Sequence, residues 1–159
     1  MKLYHGSNMA VPNPQILVSD RKLDFGTGFY LTSSIEQAER WAELTTERRG
    51  EGKPTITIYE FDETVFANLK VMHFEKANKK WLDFVVANRE NTVANQKWDI
   101  VIGPVANDRT MPVIRMFIAK VYTVAETLRR LLPQKLHDQY TFKTENALKH
   151  LKFEEIIEK

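Results

Sequence analysis

The sequence has 159 residues, a formal net charge of +2 and no cysteine. Its length predicts one domain spanning residues 1–159. Charged residues make up 28% of the sequence and hydrophobic residues 43%, a composition typical of a globular protein rather than a disordered one. The net charge is too small for the surplus of basic residues that nucleic-acid-binding proteins usually have. The absence of cysteine excludes disulfides, thiolate metal sites and thiol nucleophiles. Without an export segment or a membrane-spanning apolar run, we expect a cytoplasmic protein.

Two segments near the start combine glycine with a polar ring. A short strand is predicted at 2–4, and His5-Gly6-Ser7 follows it. Glycine lets a ligand approach the backbone closely, and an imidazole can donate or accept a hydrogen bond. Gly26 and Gly28 are expected to adopt backbone angles closed to other residues, and they precede a second predicted strand at 29–32, which places Tyr30 at a rigid strand edge. Both segments are suited to holding a flat, polar ligand.

The remaining elements follow from capping signals and periodicity. Ser33 and Ser34 are followed three residues later by Glu36 and Gln37, which predicts a helix that ends near Gly50. Beyond it the pattern predicts strands at 54–61 and 69–74, a helix at 75–88, a buried strand at 99–104, one long helix at 112–132, a strand at 139–142, a short helix at 145–151 and a last strand at 153–157. Because strands and helices do not alternate regularly, the predicted fold class is α+β.

Three motifs in order give the chain a family resemblance. They are Tyr4-His5-Gly6-Ser7, Gly28-Phe29-Tyr30-Leu31-Thr32 and Gly103-Pro104-Val105-Ala106-Asn107-Asp108. With these motifs in this order, the chain resembles the ADP-ribosyltransferase superfamily, specifically the branch with histidine in the first motif and tyrosine in the second. It also resembles a small bacterial family of toxin-like transferases in which the three motifs occur in the same order. The resemblance spans most of the chain. It implies a split, curved antiparallel β-sandwich with flanking helices, which binds NAD in the cleft between its two sheets.

The resemblance also implies roles for residues of these motifs. His5 is expected to hydrogen-bond a ribose hydroxyl, the Gly6 backbone to hold the nicotinamide amide, and Tyr30 to stack on the nicotinamide ring. The other residues expected to bind NAD are Ser7, Gly28, Phe29 and Asn107. Taken singly, His5 is also compatible with a satisfied histidine at a strand end, and Tyr30 with a core aromatic residue.

A third site residue of this superfamily, commonly glutamate, stands at the start of a later strand. The best match here is Gln139, with Asp138 and Glu145 as alternatives if the register differs. A glutamine can hydrogen-bond a ribose hydroxyl but cannot take a proton as a general base, which favours mono-transfer or hydrolysis over chain elongation. Asp108 is a candidate base, although Asp108 or Thr110 is equally expected to cap the next helix.

The leading hypothesis is a mono-ADP-ribosyltransferase that uses NAD as co-substrate, without a metal ion, to modify a protein or nucleic acid. Its catalytic residues would be Gln139, Tyr30 and Asp108. By resemblance it would be the toxin of a bacterial toxin–antitoxin pair, neutralised by a small antitoxin protein and not bound to a membrane. Two alternatives stay open: a non-catalytic module that binds NAD or ADP-ribose, motivated by the missing glutamate, and an NAD glycohydrolase.

Overall fold

The computed structural model describes residues 1–18, 22–90, 97–107 and 109–159. Its strands are β1 (Lys2–Ser7), β2 (Phe29–Leu31), β3 (Thr55–Phe61), β4 (Val71–His73), β5 (Ile100–Pro104), β6 (Asp138–Phe142) and β7 (Leu151–Glu158). Its α-helices are α1 (Ile35–Arg49), α2 (Lys79–Arg89), α3 (Met111–Ile118), α4 (Val124–Leu131) and α5 (Glu145–Leu148), and a 3₁₀ helix spans Glu63–Asn68. The predicted α+β class is confirmed. Across the described ranges, none of the helices combines the length and the apolar character needed to cross a membrane.

The strands form two sheets. The first has the order β1-β3-β7 and is antiparallel throughout, and the second has the order β2-β6-β5-β4. In the second sheet β4 and β5 are parallel because α2 forms a crossover connection between them, whereas the other pairs are antiparallel. The expectation of a wholly antiparallel architecture is therefore wrong for this pair.

The edges of the two sheets meet at β1 and β2. The Tyr4 amide donates to the Thr32 carbonyl oxygen at 2.9 Å, and the Thr32 amide donates to the Tyr4 carbonyl oxygen at 3.0 Å. This isolated antiparallel bridge joins two strands that each lie at the edge of their own sheet. The first and second sequence motifs are thereby placed side by side.

Two apolar clusters hold the layers together. One contains side chains from both sheets, among them Leu3, Leu31 and Phe142, and lies between the sheets. The other packs α2, α3 and α4 against the second sheet, and its members include Trp81 and Val101. Successive residues of β5 alternate between the clusters, which explains why that strand is apolar on both faces.

The boundary signals of the first helix are confirmed. The Ser34 hydroxyl accepts from the Gln37 amide at 3.2 Å, and Gly50 ends α1 with a φ of 68°. Glycine adopts this left-handed conformation without the steric cost that a Cβ adds.

Two sequence-based boundaries are wrong. The single helix predicted at 112–132 is divided into α3 and α4, because Lys120 has a φ of 62° and Thr123 begins a new helix by accepting from the Glu126 amide at 3.2 Å. Apolar spacing continues across this break, so periodicity does not reveal it. In addition, β1 continues through Ser7, so His5 and Gly6 lie within the strand rather than after it.

Candidate functional site

A pocket of about 1090 Å³ lies at the junction of the two sheets. Seven of the residues expected at a site line it, namely His5, Gly6, Ser7, Gly28, Phe29, Tyr30 and Gln139. Ligand sites commonly have volumes of roughly 300–1,000 Å³, so this pocket is large enough for a nucleotide-sized ligand. The first two motifs and the later strand β6 therefore contribute to one site.

The imidazole of His5 is held by β2. Its Nδ1 atom lies 2.7 Å from the Tyr30 carbonyl oxygen, and its ring stacks on Phe29 with 4.2 Å between the ring centroids. Burial lowers the pKa of His5 to about 4, so the ring is neutral near pH 7. Because a carbonyl oxygen only accepts, the neutral ring carries its proton on Nδ1, and Nε2 is left as an acceptor.

The Tyr30 hydroxyl fixes the loop that precedes β2. It donates to the Gly26 carbonyl oxygen at 2.6 Å and accepts from the Phe25 amide at 3.1 Å. Burial and, to a smaller extent, the nearby Asp24 carboxylate raise the pKa of Tyr30, which keeps the hydroxyl protonated. The hydroxyl is therefore used within the protein, and the side chain also packs against the apolar cluster that joins α2, α3 and α4 to the second sheet.

The motif glycines are required by packing. A Cβ on Gly6 would lie 1.9 Å from the Ala38 carbonyl oxygen, so this glycine lets α1 pack against β1. A Cβ on Gly28 would lie 2.5 Å from Cγ2 of Thr141. Gly26 has a positive φ, 75°, but Gly28 does not. The expectation that Gly28 needs a special backbone conformation is therefore wrong, and α1 accounts for the missing side chain at Gly6.

Gln139 lies at the buried end of the pocket, with 2% of its surface exposed. Its Nε2 atom donates to Oδ2 of Asp24 at 3.2 Å and to the Pro104 carbonyl oxygen at 3.3 Å. The alternative Asp138 is used elsewhere, since its carboxylate accepts from the Ser33 amide at 2.9 Å before α1 begins. Glu145 is exposed in the first turn of α5.

Asp24 was not among the predicted site residues, yet it organises the pocket. Its carboxylate is 6% exposed and accepts from Nε of Arg89 at 2.8 Å, from Nη2 of the same guanidinium, from the Ala106 amide at 3.1 Å and from Gln139. These partners are distant in sequence, since Arg89 lies 65 positions and Gln139 lies 115 positions after Asp24. The sequence signal for Asp24 is its position two residues before Gly26, next to the second glycine-containing segment.

The loop after β5 forms a turn that leads into α3. Oδ1 of Asn107 accepts from the Arg109 amide at 3.0 Å and from the Thr110 amide at 3.1 Å, just before α3. Asn107 does not line the pocket, and the hydroxyl of Thr110 makes no cap hydrogen bond. Asn107 therefore orders the turn before α3, and Thr110 occupies the N-cap position without the expected side-chain hydrogen bond. Asp108 lies outside the described residues.

Helix α1 gives the pocket a basic and apolar wall. Its exposed Arg48 and Arg49 line the pocket together with Trp41, Leu44 and the exposed Glu47, so this wall carries two cations and one carboxylate. Guanidinium groups attract and bind phosphate groups, and the indole ring provides apolar contact area. The residues that the structure describes contain no group of three or more histidine, aspartate or glutamate side chains that could hold a metal ion.

Fold and site together define an α+β protein with a ligand-sized pocket between the edges of two sheets. The chain belongs to the family described as "Protein of unknown function (DUF3990)", whose sequence profile matches residues 1–153. The match covers every residue of the pocket. A search of curated proteins found no match to the chain.

Proposed function

We propose that the protein is a mono-ADP-ribosyltransferase that uses NAD to modify a macromolecular acceptor. The observation that carries the proposal is that His5 from one sheet and Tyr30 and Gln139 from the other line a single pocket. The family resemblance gives each of these three side chains a role in binding the nicotinamide half of NAD, in addition to the role of the Gly6 backbone. A pocket of about 1090 Å³ is large enough for a dinucleotide.

The chemistry of the pocket fits the parts of NAD. Nε2 of the neutral His5 accepts from a ribose hydroxyl, and the Tyr30 ring stacks on the nicotinamide. Stacking of aromatic rings contributes about 1 kcal/mol beyond burial, and a cationic pyridinium gains more. Arg48 and Arg49 supply positive charge for the pyrophosphate.

The proposed reaction requires orientation more than acid catalysis. The bond between the ribose carbon C1 and the nicotinamide nitrogen breaks, and its electron pair leaves with neutral nicotinamide. A nucleophile of the acceptor forms the new bond to C1 and releases its proton. The pocket would hold the ribose and shield the oxocarbenium-like transition state, and a neutral Gln139 is compatible with both tasks.

A non-catalytic module that binds NAD or ADP-ribose is the second candidate. The amide of Gln139 and the engagement of the Asp24 carboxylate with Arg89 favour it, because neither group is a free general base. An NAD glycohydrolase would use the same pocket with water as the acceptor. The products distinguish the three functions.

The decisive experiment incubates the purified protein with NAD labelled in the ADP-ribose part, in the presence of a bacterial lysate. Label on a macromolecule supports the transferase, free labelled ADP-ribose supports the glycohydrolase, and binding without nicotinamide release supports the module. His5→Ala and Tyr30→Ala should each abolish transfer. Matched changes outside the pocket, His73→Ala and Tyr122→Ala, should leave transfer intact. Transfer that survives both pocket changes contradicts the proposal.

A role as toxin, with a small antitoxin as partner, is proposed from the resemblance. Induced expression of the protein in a bacterial host should arrest growth, whereas expression of the Tyr30→Ala variant at the same level should not. Growth inhibition of equal strength by both proteins would show that the toxicity does not depend on the Tyr30 side chain in the pocket, which contradicts this role.

A further inference from the structure

The contact between Asp24 and Gln139 determines which way the Gln139 amide points. Nε2 of Gln139 lies 3.2 Å from Oδ2 of Asp24 and 3.3 Å from the Pro104 carbonyl oxygen. An ionised carboxylate and a carbonyl oxygen both accept hydrogen bonds and donate none. Turning the amide over would place its oxygen against two acceptors, so the nitrogen is held at this position.

The carboxylate of Asp24 is itself held in place. Its Oδ1 atom accepts from the Arg89 guanidinium, and its Oδ2 atom accepts from the Ala106 amide as well as from Gln139. Arg89 comes from α2 and Ala106 follows β5, so two separate elements fix the carboxylate. An ion pair with a cation favours the charged form, which only accepts hydrogen bonds.

We propose that Asp24 is a positioning residue that turns the amide oxygen of Gln139 toward the ligand. No donor among residues 1–18, 22–90, 97–107 and 109–159 reaches Oε1 of Gln139, and the residue lines the pocket. Together with Nε2 of His5, the pocket then presents two neutral acceptors. Two acceptors select a ligand that donates two O–H groups, which is the chemistry of the vicinal hydroxyls of a ribose.

The same geometry makes a glutamate at position 139 incompatible with Asp24. In Gln139→Glu, a second carboxylate would face Oδ2 of Asp24 and the Pro104 carbonyl oxygen, and the repulsion would raise the pKa of the introduced carboxyl. The folded state would then bind a proton that the unfolded state has released, so the variant loses stability as the pH rises. The other charged or titratable groups around Asp24 are Arg89 from α2, Tyr30 from β2 and Lys143, which follows β6 and contacts Phe25.

A double-mutant cycle in urea tests the orientation without any ligand. The proteins are the wild type, Gln139→Glu, Asp24→Asn and the double variant, each unfolded at pH 5 and pH 8, with the exposed Gln134→Glu as control. We expect Gln139→Glu to lower the urea midpoint more at pH 8 than at pH 5, and the double variant to recover most of the loss. Equal stability of Gln139→Glu and the wild type at both pH values would overturn the proposal. If Asp24→Asn alone does not fold, the double variant is compared directly with Gln139→Glu, because burial of the introduced carboxyl is common to both and only the Asp24 carboxylate differs.

Ligand binding tests the selectivity, which rests on the proposed function. Calorimetry compares NAD with its analogue that lacks the 2-hydroxyl of the nicotinamide ribose. We expect the wild type to bind NAD at least tenfold more tightly than the analogue, and Gln139→Met to bind both alike. Equal affinities in the wild type would overturn the ribose selectivity. Failure to bind NAD at all would overturn the proposed function, whereas the urea cycle would still report on the orientation of Gln139.

Discussion

The imidazole of His5 and the backbone of Tyr30 are joined by a hydrogen bond of 2.7 Å between Nδ1 and the carbonyl oxygen. This bond connects the edge strands of the two sheets, in addition to the bridge between Tyr4 and Thr32. His5 therefore stabilises the junction and also lines the pocket. Experiments on His5 must separate these two roles.

The stability of the protein should fall with acidification because of His5. Its pKa is lowered to about 4 in the folded state, whereas an unperturbed histidine titrates near pH 6.5. Between these values the unfolded chain binds the proton and the folded one does not. From pH 7 to pH 5 the wild type should lose about 2 kcal/mol of unfolding free energy relative to His5→Gln. The exposed His73→Gln serves as control, and parallel losses in the wild type and His5→Gln would contradict the assignment.

Removing the Tyr30 hydroxyl should separate stability from binding. Tyr30→Phe loses the hydrogen bonds to Gly26 and Phe25 but keeps the ring. We expect a loss of about 1–3 kcal/mol in unfolding free energy, with an affinity for NAD close to that of the wild type. Tyr30→Ala should lose both stability and binding. Urea unfolding and calorimetry measure the two quantities, and an unchanged stability of Tyr30→Phe would show that these hydrogen bonds contribute little.

Gly6→Ala should be among the most damaging small changes in the chain. The added Cβ would lie 1.9 Å from the Ala38 carbonyl oxygen, so α1 would have to move away from β1. We expect a loss of about 3 kcal/mol or more. Gly50→Ala is the matched control, because its Cβ meets open space and its cost, about 1–2 kcal/mol, comes from the positive φ alone. Thermal unfolding that ranks the two variants in the opposite order would refute this account of Gly6.

Breaking the ion pair of Asp24 should cost far more than breaking an exposed one. Arg89→Met leaves a carboxylate of 6% exposure without its cation, for an expected loss of about 3–5 kcal/mol. Arg129→Met removes a partner of Glu126 on the exposed side of α4, where losses stay below about 1 kcal/mol. Urea unfolding compares the two. Asp24→Asn in the Arg89→Met background should recover part of the loss, and similar losses in both single variants would argue against a buried charge.

Local sequence signals predicted local structure well. The Ser34 cap and Gly50 set the ends of α1, and the continuous apolar run at 99–104 indicated a strand inside a sheet. Each signal is contained in a few neighbouring residues. The break between α3 and α4 was missed because it depends on the backbone conformation of Lys120, which apolar spacing does not encode.

The candidate site was predictable only where its residues stand in short local motifs. His5 and Tyr30 stand in short motifs, and both line one pocket, while their roles in ligand binding stay predictions. The role of Asp24 depends on Arg89 and Gln139, which approach it only after both α2 and β6 have packed. Asn107 is expected from its motif to bind the ligand, but its side chain accepts from the amides of the turn before α3 and does not line the pocket.

The central position of β6 has a consequence for protein synthesis. The strand that carries Tyr30 has β6 as its ladder partner, and β6 begins only at Asp138. A nascent chain that has not yet released these residues from the ribosome lacks both the partner of β2 and the side chain of Gln139. The pocket is thus completed late in translation, and truncated products that end before β6 lack part of its lining.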